Sequence, residues 1–232
     1  MSPVLSVSLL AGALASENRS SLRLMVSQPL CGGFLTGLLL GNLRDGFLAG
    51  AMLQMLFLGM ITVRGMRMPD LTLGGVAAAA VYILAQRETS NDPGVKGLAL
   101  FISLAAALGV AIIGSAVHRF WESRSFFLAR WATRAAAGGR FWLASALHFS
   151  TLAVHGIAGF AVVAGAVIAG VPLAAAVIGV VPRQSCEPLA SLYVLLPFIG
   201  AGSLLALSVT KARVFLFCAG FAIVLLVRLF RG

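Results

Sequence analysis

The chain has 232 residues, of which 60% are hydrophobic and only 10% charged, and its mean hydropathy is +1.01. A soluble domain carries about 25% charged residues, so this composition excludes a soluble enzyme or binding module and describes an integral membrane protein. The 17 Lys and Arg against 7 Asp and Glu leave a net charge of +10; in a polar chain that excess suggests nucleic acid, but here the cations separate long apolar runs, so no nucleic acid is expected and the charge reads as topological.

Each span needs about 20 apolar residues, which leaves room for roughly six to nine segments. The first apolar run, Val4 to Ala15, is only about 20 Å long as a helix. It ends in Ala13-Leu14-Ala15, similar to a signal-peptidase site, but Met1-Ser2-Pro3 supplies no basic region, so an uncleaved first helix is expected. A polar stretch from Ser16 to Arg23 interrupts the apolar sequence. Gln28 to Gly41 follows, again too short for the roughly 30 Å hydrocarbon core, and Asn42-Leu43-Arg44-Asp45-Gly46 cuts in next. Short, interrupted segments of this kind point to half-helices around a transport site.

Gly33, Gly37 and Gly41, then Gly46 and Gly50, recur at spacings of four within each piece. Small residues on one helix face let backbones approach closely, so these five are expected to pack the two arms of a helical hairpin whose tip lies at residues 42–46. Asp45 is a plausible cap for the second arm. That arm, Phe47 to Val63, is long enough to span. Pro69 then breaks the helix, and Asp70 caps the run from Leu71 to Ala85. After a polar loop at 86–96, Gly97 to Val117 is a clear span of about 21 residues.

Residues 118–140 mix Arg119, Arg124, Arg130, Arg134 and Arg140 with Phe120, Trp121, Phe126, Phe127 and Trp131. This is the composition of a basic amphipathic helix at a membrane interface or in a cytoplasmic loop, compatible with docking an acidic partner. Phe141 to Ala169 is long and apolar and is expected to end at Gly170-Val171-Pro172. A short run, 173–181, a rigid polar link, 182–188, and two further spans, about 189–210 and 214–229, complete the chain. Four parts result: a hairpin part at 1–86, a span at 97–117, a basic segment at 118–142 and a C-terminal helical bundle at 143–232. The fold class is all-α membrane protein, a multi-span bundle with short re-entrant or broken hairpins in its N-terminal part.

Chemistry-bearing residues are few. The chain has no phosphate-binding glycine loop and no dinucleotide fingerprint, so no cofactor is expected. Cys31, Cys186 and Cys218 show no metal-ligand spacing and read as packing residues; neither a metal site nor a catalytic residue is expected. His148 and His155 share a helix face with Thr151 and are either hydrogen-bonded bundle histidines or part of a proton relay. The more informative polar residues, Glu17, Arg19, Arg23, Gln54, Thr62, Arg64, Arg67 and Asp70, all lie in the first 70 positions at the ends or interruptions of short helices. A neutral sugar needs a few fixed donors and acceptors in an apolar cleft, and the amide of Gln54 offers both; its alternative role is an interhelical hydrogen bond.

Pro29-Leu30, Gly37, Leu40-Gly41, Gly46, Gly50, Leu53-Gln54, Leu58-Gly59 and Pro69-Asp70 together resemble the signature of the IIC subunit of mannose/fructose/sorbose-type sugar phosphotransferase systems. The resemblance runs without a gap over about 45 residues, and beyond residue 80 it is one of length and hydropathy only. It implies a permease subunit in the bacterial cytoplasmic (inner) membrane that pairs with a IID subunit. Together they would carry a hexose-type sugar to cytoplasmic IIB and IIA phosphocarriers, as a homo-oligomer of IIC–IID units. The IIC chain itself would not be phosphorylated. By position the resemblance implies that Gln54, Thr62 and Asp70 contact sugar, with Glu17 and Arg23 the further candidates. Gln28 stands where the family has Arg, and Asn42 where it has Asp. A IIC-like scaffold or regulatory subunit that no longer transports sugar is therefore the alternative, followed by an unrelated secondary transporter using Glu17, His148 and His155.

Overall fold

The computed structural model describes residues 2–19, 25–58, 69–89, 92–182, 185–186 and 195–207. Among them are seven helices and no strand: α1 Pro3–Arg19, α2 Pro29–Leu40, α3 Leu43–Leu56, α4 Leu71–Glu88, α5 Pro93–Ala137, α6 Phe141–Val180 and α7 Leu196–Leu207. The chain is thus an all-helical membrane protein. Proline opens α1, α2 and α5, where its missing N–H costs no hydrogen bond and its fixed φ suits the first turn. The Asp92 side chain accepts from Gly94 N–H at 3.2 Å and caps α5.

α2 and α3 form the hairpin. Gly41 takes φ +73° at the end of α2, and the N–H groups of Gly41 and Asn42 return to the carbonyls of Leu38 and Gly37 at 3.3 and 2.9 Å, a Schellman closure. Arg87 of α4 donates to the Leu40 carbonyl at 2.6 Å and satisfies another terminal acceptor. Gly33, Gly37, Gly46 and Gly50 interlock the arms: a Cβ built on Gly33 would lie 2.6 Å from the Gly46 carbonyl oxygen and 2.7 Å from Gly50 Cα. Gly41 contributes differently from expectation, because a Cβ there meets nothing within 4 Å; it makes the turn, not the packing face.

The cap of α3 is Asn42 and not Asp45. Asn42 Oδ1 accepts from Asp45 N–H at 3.3 Å, and Asn42 Nδ2 donates to Asp45 Oδ2 at 2.6 Å. The helix accordingly starts before Phe47. It stops at Leu56, where Phe57 and Leu58 close the last turn on the Leu53 and Met55 carbonyls. Fourteen residues give only about 21 Å of helix, so α3 as described is shorter than the expected span. Residues 59–68 lie outside the described residues.

α4 is the centre of the bundle. From Thr72 to Ala85 nearly every residue is buried, as a helix that is apolar all round requires. Leu73, Val76, Ala80 and Ile83 join Val7, Leu14, Val163 and Val167 of α1 and α6 in one cluster. Ala78, Ala79 and Tyr82 join Leu53, Leu98, Leu100 and Leu104 of α3 and α5 in another. α1 lies close on α6 through Gly12 and Gly156, and Ser16 Oγ donates across to the Leu152 carbonyl at 3.1 Å.

Three boundaries differ from the sequence reading. α1 runs through Ser16, Glu17 and Asn18 to Arg19, because that polar stretch contains no helix breaker. α5 is continuous from Pro93 to Ala137, so residue 117 marks a change of composition along one helix and not a helix end. α6 passes through Pro172 to Val180; proline forfeits one intrahelical bond, a loss that membrane helices tolerate where local geometry re-satisfies the freed carbonyl. Both α5 and α6 are long and apolar enough to cross a membrane. Their outward faces carry Ile112, Ile113, Phe149, Ile157, Ile168 and Leu173, apolar surface of a kind that contacts lipid or protein.

Candidate functional site

The broken helices converge on one cavity of about 480 Å³. It lies where α2 and α4 begin and where α1 and α3 end, with one side of α5 behind it. Its wall comprises Asn18, Arg19, Ser27, Gln28, Pro29, Gln54, Phe57, Leu58, Pro69, Asp70, Leu71, Thr72 and Ser115. Helix N-termini concentrate N–H groups and positive potential, so such a junction suits oxygen-rich ligands.

Gln54 stands in the last turn of α3. Its Oε1 accepts the Leu30 N–H at 3.1 Å, which satisfies a free donor in the first turn of α2 and turns the amide NH2, with two donors, away from that contact. This is an interhelical bond, the alternative role read from the sequence, made on the wall of the cavity.

Asp70 is 7% exposed and held by three contacts. Its N–H donates to the Ala111 carbonyl at 2.8 Å, Oδ1 accepts from Leu73 N–H at 3.2 Å, and Oδ2 lies 3.3 Å from His118 Nε2. It is both a helix cap and a cavity residue. Thr72 Oγ1 donates to the Ser27 carbonyl at 2.6 Å and receives Asn18 Nδ2 at 3.5 Å, tying α1, the approach to α2 and α4 into one rim.

Of the remaining sequence candidates, Glu17 is half-buried on α1 beside Asn18 but is not part of this wall. Thr62 and Arg23, with Arg64 and Arg67, lie outside the described residues. Among the described residues no cluster of His, Cys, Asp or Glu has the arrangement of a metal site.

A second cavity of about 430 Å³ opens between α1, α5 and α6, lined in part by Arg19, Glu122, His148, Thr151 and His155. Arg19, paired with Glu122, touches both cavities. His148 and His155 do share this lining, but the hydrogen-bond partner of His155 is His118, with their Nδ1 atoms 2.9 Å apart. Sequence reasoning missed His118, which stood only as the boundary of a span. The signal was present: Ala111, Ser115, His118 and Glu122 recur at steps of four, three and four, one stripe of a helix.

Comparison with known proteins agrees with this architecture. The sequence model of the family described as "PTS system sorbose-specific iic component" matches residues 3–230. The chain belongs to this family. It is 28% identical over 130 residues to the PTS system sorbose-specific EIIC component of Klebsiella pneumoniae, a stretch covering 56% of this chain but only 45% of that relative. Among solved structures, one described as a membrane protein superposes with a TM-score of 0.67 at 17% identity, covering 94% of this chain and 83% of its own. The mannose transporter ManYZ in complex with microcin E492 superposes with a TM-score of 0.55 at 19% identity, over the same shares. At such identities the two structures speak for the fold alone. The chain is thus a IIC component of this family, and its short N-terminal helices meet at a half-open cavity lined by both polar and apolar side chains.

Proposed function

We propose that this IIC subunit translocates a neutral hexose-type sugar through the cavity between α2 and α4. The observation that carries the reading is the meeting of Gln54 and Asp70, 16 positions apart in sequence, on one wall beneath two helix N-termini. An amide with free donors and an oriented carboxylate are the groups that sort hydroxyls, while Pro29, Phe57, Leu58 and Leu71 offer apolar faces for the ring. Arg19 adds a cation to the rim, but Glu122 neutralises it, which favours a neutral sugar over an acidic one.

In this reading residues 1–86 supply most of the substrate-handling part and α5 contributes Ser115. The segments 97–117, 118–142 and 143–232 form the frame. Thr62 is kept as a sugar-facing candidate from the family resemblance, and Glu17, which lies outside this wall, and Arg23 are kept as further candidates. A IID subunit completes the pore in the bacterial cytoplasmic membrane, IIB and IIA phosphorylate the delivered sugar, IIC–IID units form a homo-oligomer, and IIC crosses the membrane several times. The sorbose and mannose named for the relatives are the first sugars to test.

The test is uptake of radiolabelled mannose and sorbose by cells carrying this chain with its IID, IIB and IIA partners. Gln54→Ala is expected to lower uptake at least tenfold with membrane insertion unchanged. Wild-type uptake in that variant removes Gln54 from the site.

A further inference from the structure

Behind the first cavity, a buried polar line runs from Asp70 through His118 to His155 and ends at the second cavity. His118 is 1% exposed and His155 6% exposed, and they come from different helices, α5 and α6. Ionisable groups at such depth in an apolar bundle are costly unless matched, and these are matched to one another. The contacts also dictate where the protons sit. Asp70 accepts the Leu73 N–H on Oδ1 at the start of α4, the placement of a carboxylate helix cap. A ring nitrogen 3.3 Å from its Oδ2 must then carry hydrogen, because two lone pairs facing each other out of water repel. His118 is therefore protonated on Nε2, and in a neutral ring its Nδ1 is an acceptor. The Nδ1 of His155 at 2.9 Å has to be the donor. That leaves His155 Nε2 as an acceptor on the side of the second cavity, whose wall His155 forms.

We propose that His118 and His155 are positioning residues for the cavity carboxylate: His155 fixes His118 as the Nε2–H tautomer, and His118 fixes the rotation of Asp70 so that its remaining lone pairs face the first cavity. Without His118, Asp70 keeps its cap to Leu73 through Oδ1 but loses its hold on Oδ2, so the carboxylate rocks about its χ2 bond within the limits the cap sets. Affinity for a ligand bound by that carboxylate then falls while the helix start survives. The other charged groups around the line are Arg19 on α1, Glu122 on α5 and His148 on α6. Arg19 and Glu122 satisfy each other, and His148 is on the exposed side of α6, so none of the three competes for Asp70.

The part concerning affinity rests on the proposed sugar site; the part concerning tautomers does not. The chain has three histidines, so single substitutions assign the 15N-histidine spectrum of the full chain in lipid nanodiscs. His118 is expected as the Nε2–H form and His155 as the Nδ1–H form, and His155→Leu is expected to release His118 into a tautomer mixture. In parallel, mannose and sorbose binding is measured on the full chain with its IID partner. His118→Leu is expected to raise Kd about tenfold, the 1.4 kcal/mol of one lost polar contact. His118→Gln, whose amide N–H reaches the same place, is expected to recover most of it. An Nδ1–H form of His118 in the wild type overturns the proposal even if His118→Leu fails to fold. So does wild-type affinity in a folded His118→Leu when Asp70→Asn has lost binding. Undiminished binding in Asp70→Asn itself sinks the sugar site instead, leaving the tautomer spectrum to decide the positioning role.

Discussion

Asn42 stands where the family resemblance implies an aspartate, and it makes a complete cap of its own. An aspartate at this position would still accept the Asp45 N–H, but it would face the Asp45 carboxylate that Asn42 Nδ2 now approaches at 2.6 Å. The asparagine is therefore matched to Asp45, one amide serving as acceptor for the backbone and donor for the side chain. Loss of a cap costs about 1 kcal/mol, so Asn42→Ala is expected to destabilise the hairpin by that amount in a reversible unfolding experiment in detergent. Asn42→Asp keeps the cap and adds a like-charge contact, and is expected to be no better than Asn42→Ala. The exchanged pair Asn42→Asp with Asp45→Asn restores an amide–carboxylate contact and should regain most of the loss. Failure of the exchange to improve on Asn42→Asp alone means that the side-chain contact contributes nothing. The sequence signalled a polar tip here but assigned the cap three residues late, because Asn and Asp are equally good caps and only the backbone path separates them.

At the level of elements, the hairpin depends on the absence of side chains. A Cβ at Gly46 would lie 2.5 Å from both the Gly33 carbonyl oxygen and Gly37 Cα, and backbone cannot move aside as a flexible side chain can. Overpacking of this kind costs about 1–3 kcal/mol even for a methylene in a soluble core. Gly46→Val is therefore expected to separate α2 from α3, shift Gln54 away from Leu30 and lower the melting temperature sharply. Gly41→Asn, at an open position with φ +73°, should leave it nearly unchanged, since Asn visits the left-handed region readily. Equal melting temperatures for the two variants contradict the interlocked hairpin. The face was legible in the sequence at Gly33, Gly37, Gly46 and Gly50, while the same spacing placed Gly41 on it although Gly41 makes the turn. The continuity of α5 and α6 was not legible. A change in composition at residue 117 and a proline at 172 both look like boundaries, yet neither removes enough backbone hydrogen bonding to end a helix that its neighbours hold on one side. The long-range partners in the site were also hidden, because nothing in the local sequence tells His118 that it will meet Asp70, 48 positions earlier, and His155, 37 positions later.

For the whole molecule, the length of α5 sets a constraint that composition alone did not. Its 45 residues make a rod of about 67 Å, twice the roughly 30 Å hydrocarbon core. The apolar stretch from Gly97 to Val117, about 31 Å as helix, fits the core. The part that follows carries Arg119, Arg124, Arg130 and Arg134, with Arg124 stacked on Phe120 at 4.2 Å and Arg130 on Phe126 at 4.7 Å. Burying that many cations in lipid costs several kcal/mol each, so the bilayer boundary has to fall within one unbroken helix, between Ile112 and Arg130. Both positions are exposed on the protein itself, so any difference in their reactivity reports the membrane and not the fold. With Cys31, Cys186 and Cys218 replaced by alanine, a charged maleimide is expected to label Arg130→Cys at least tenfold faster than Ile112→Cys in liposomes. In detergent the gap should narrow, and in oriented vesicles the label should reach Arg130→Cys from the cytoplasmic side, as the arginine-rich segment 119–140 requires under the positive-inside rule. Equal labelling in liposomes means that lipid does not surround the span at Ile112, and the assignment of α5 as a membrane-crossing helix falls with it.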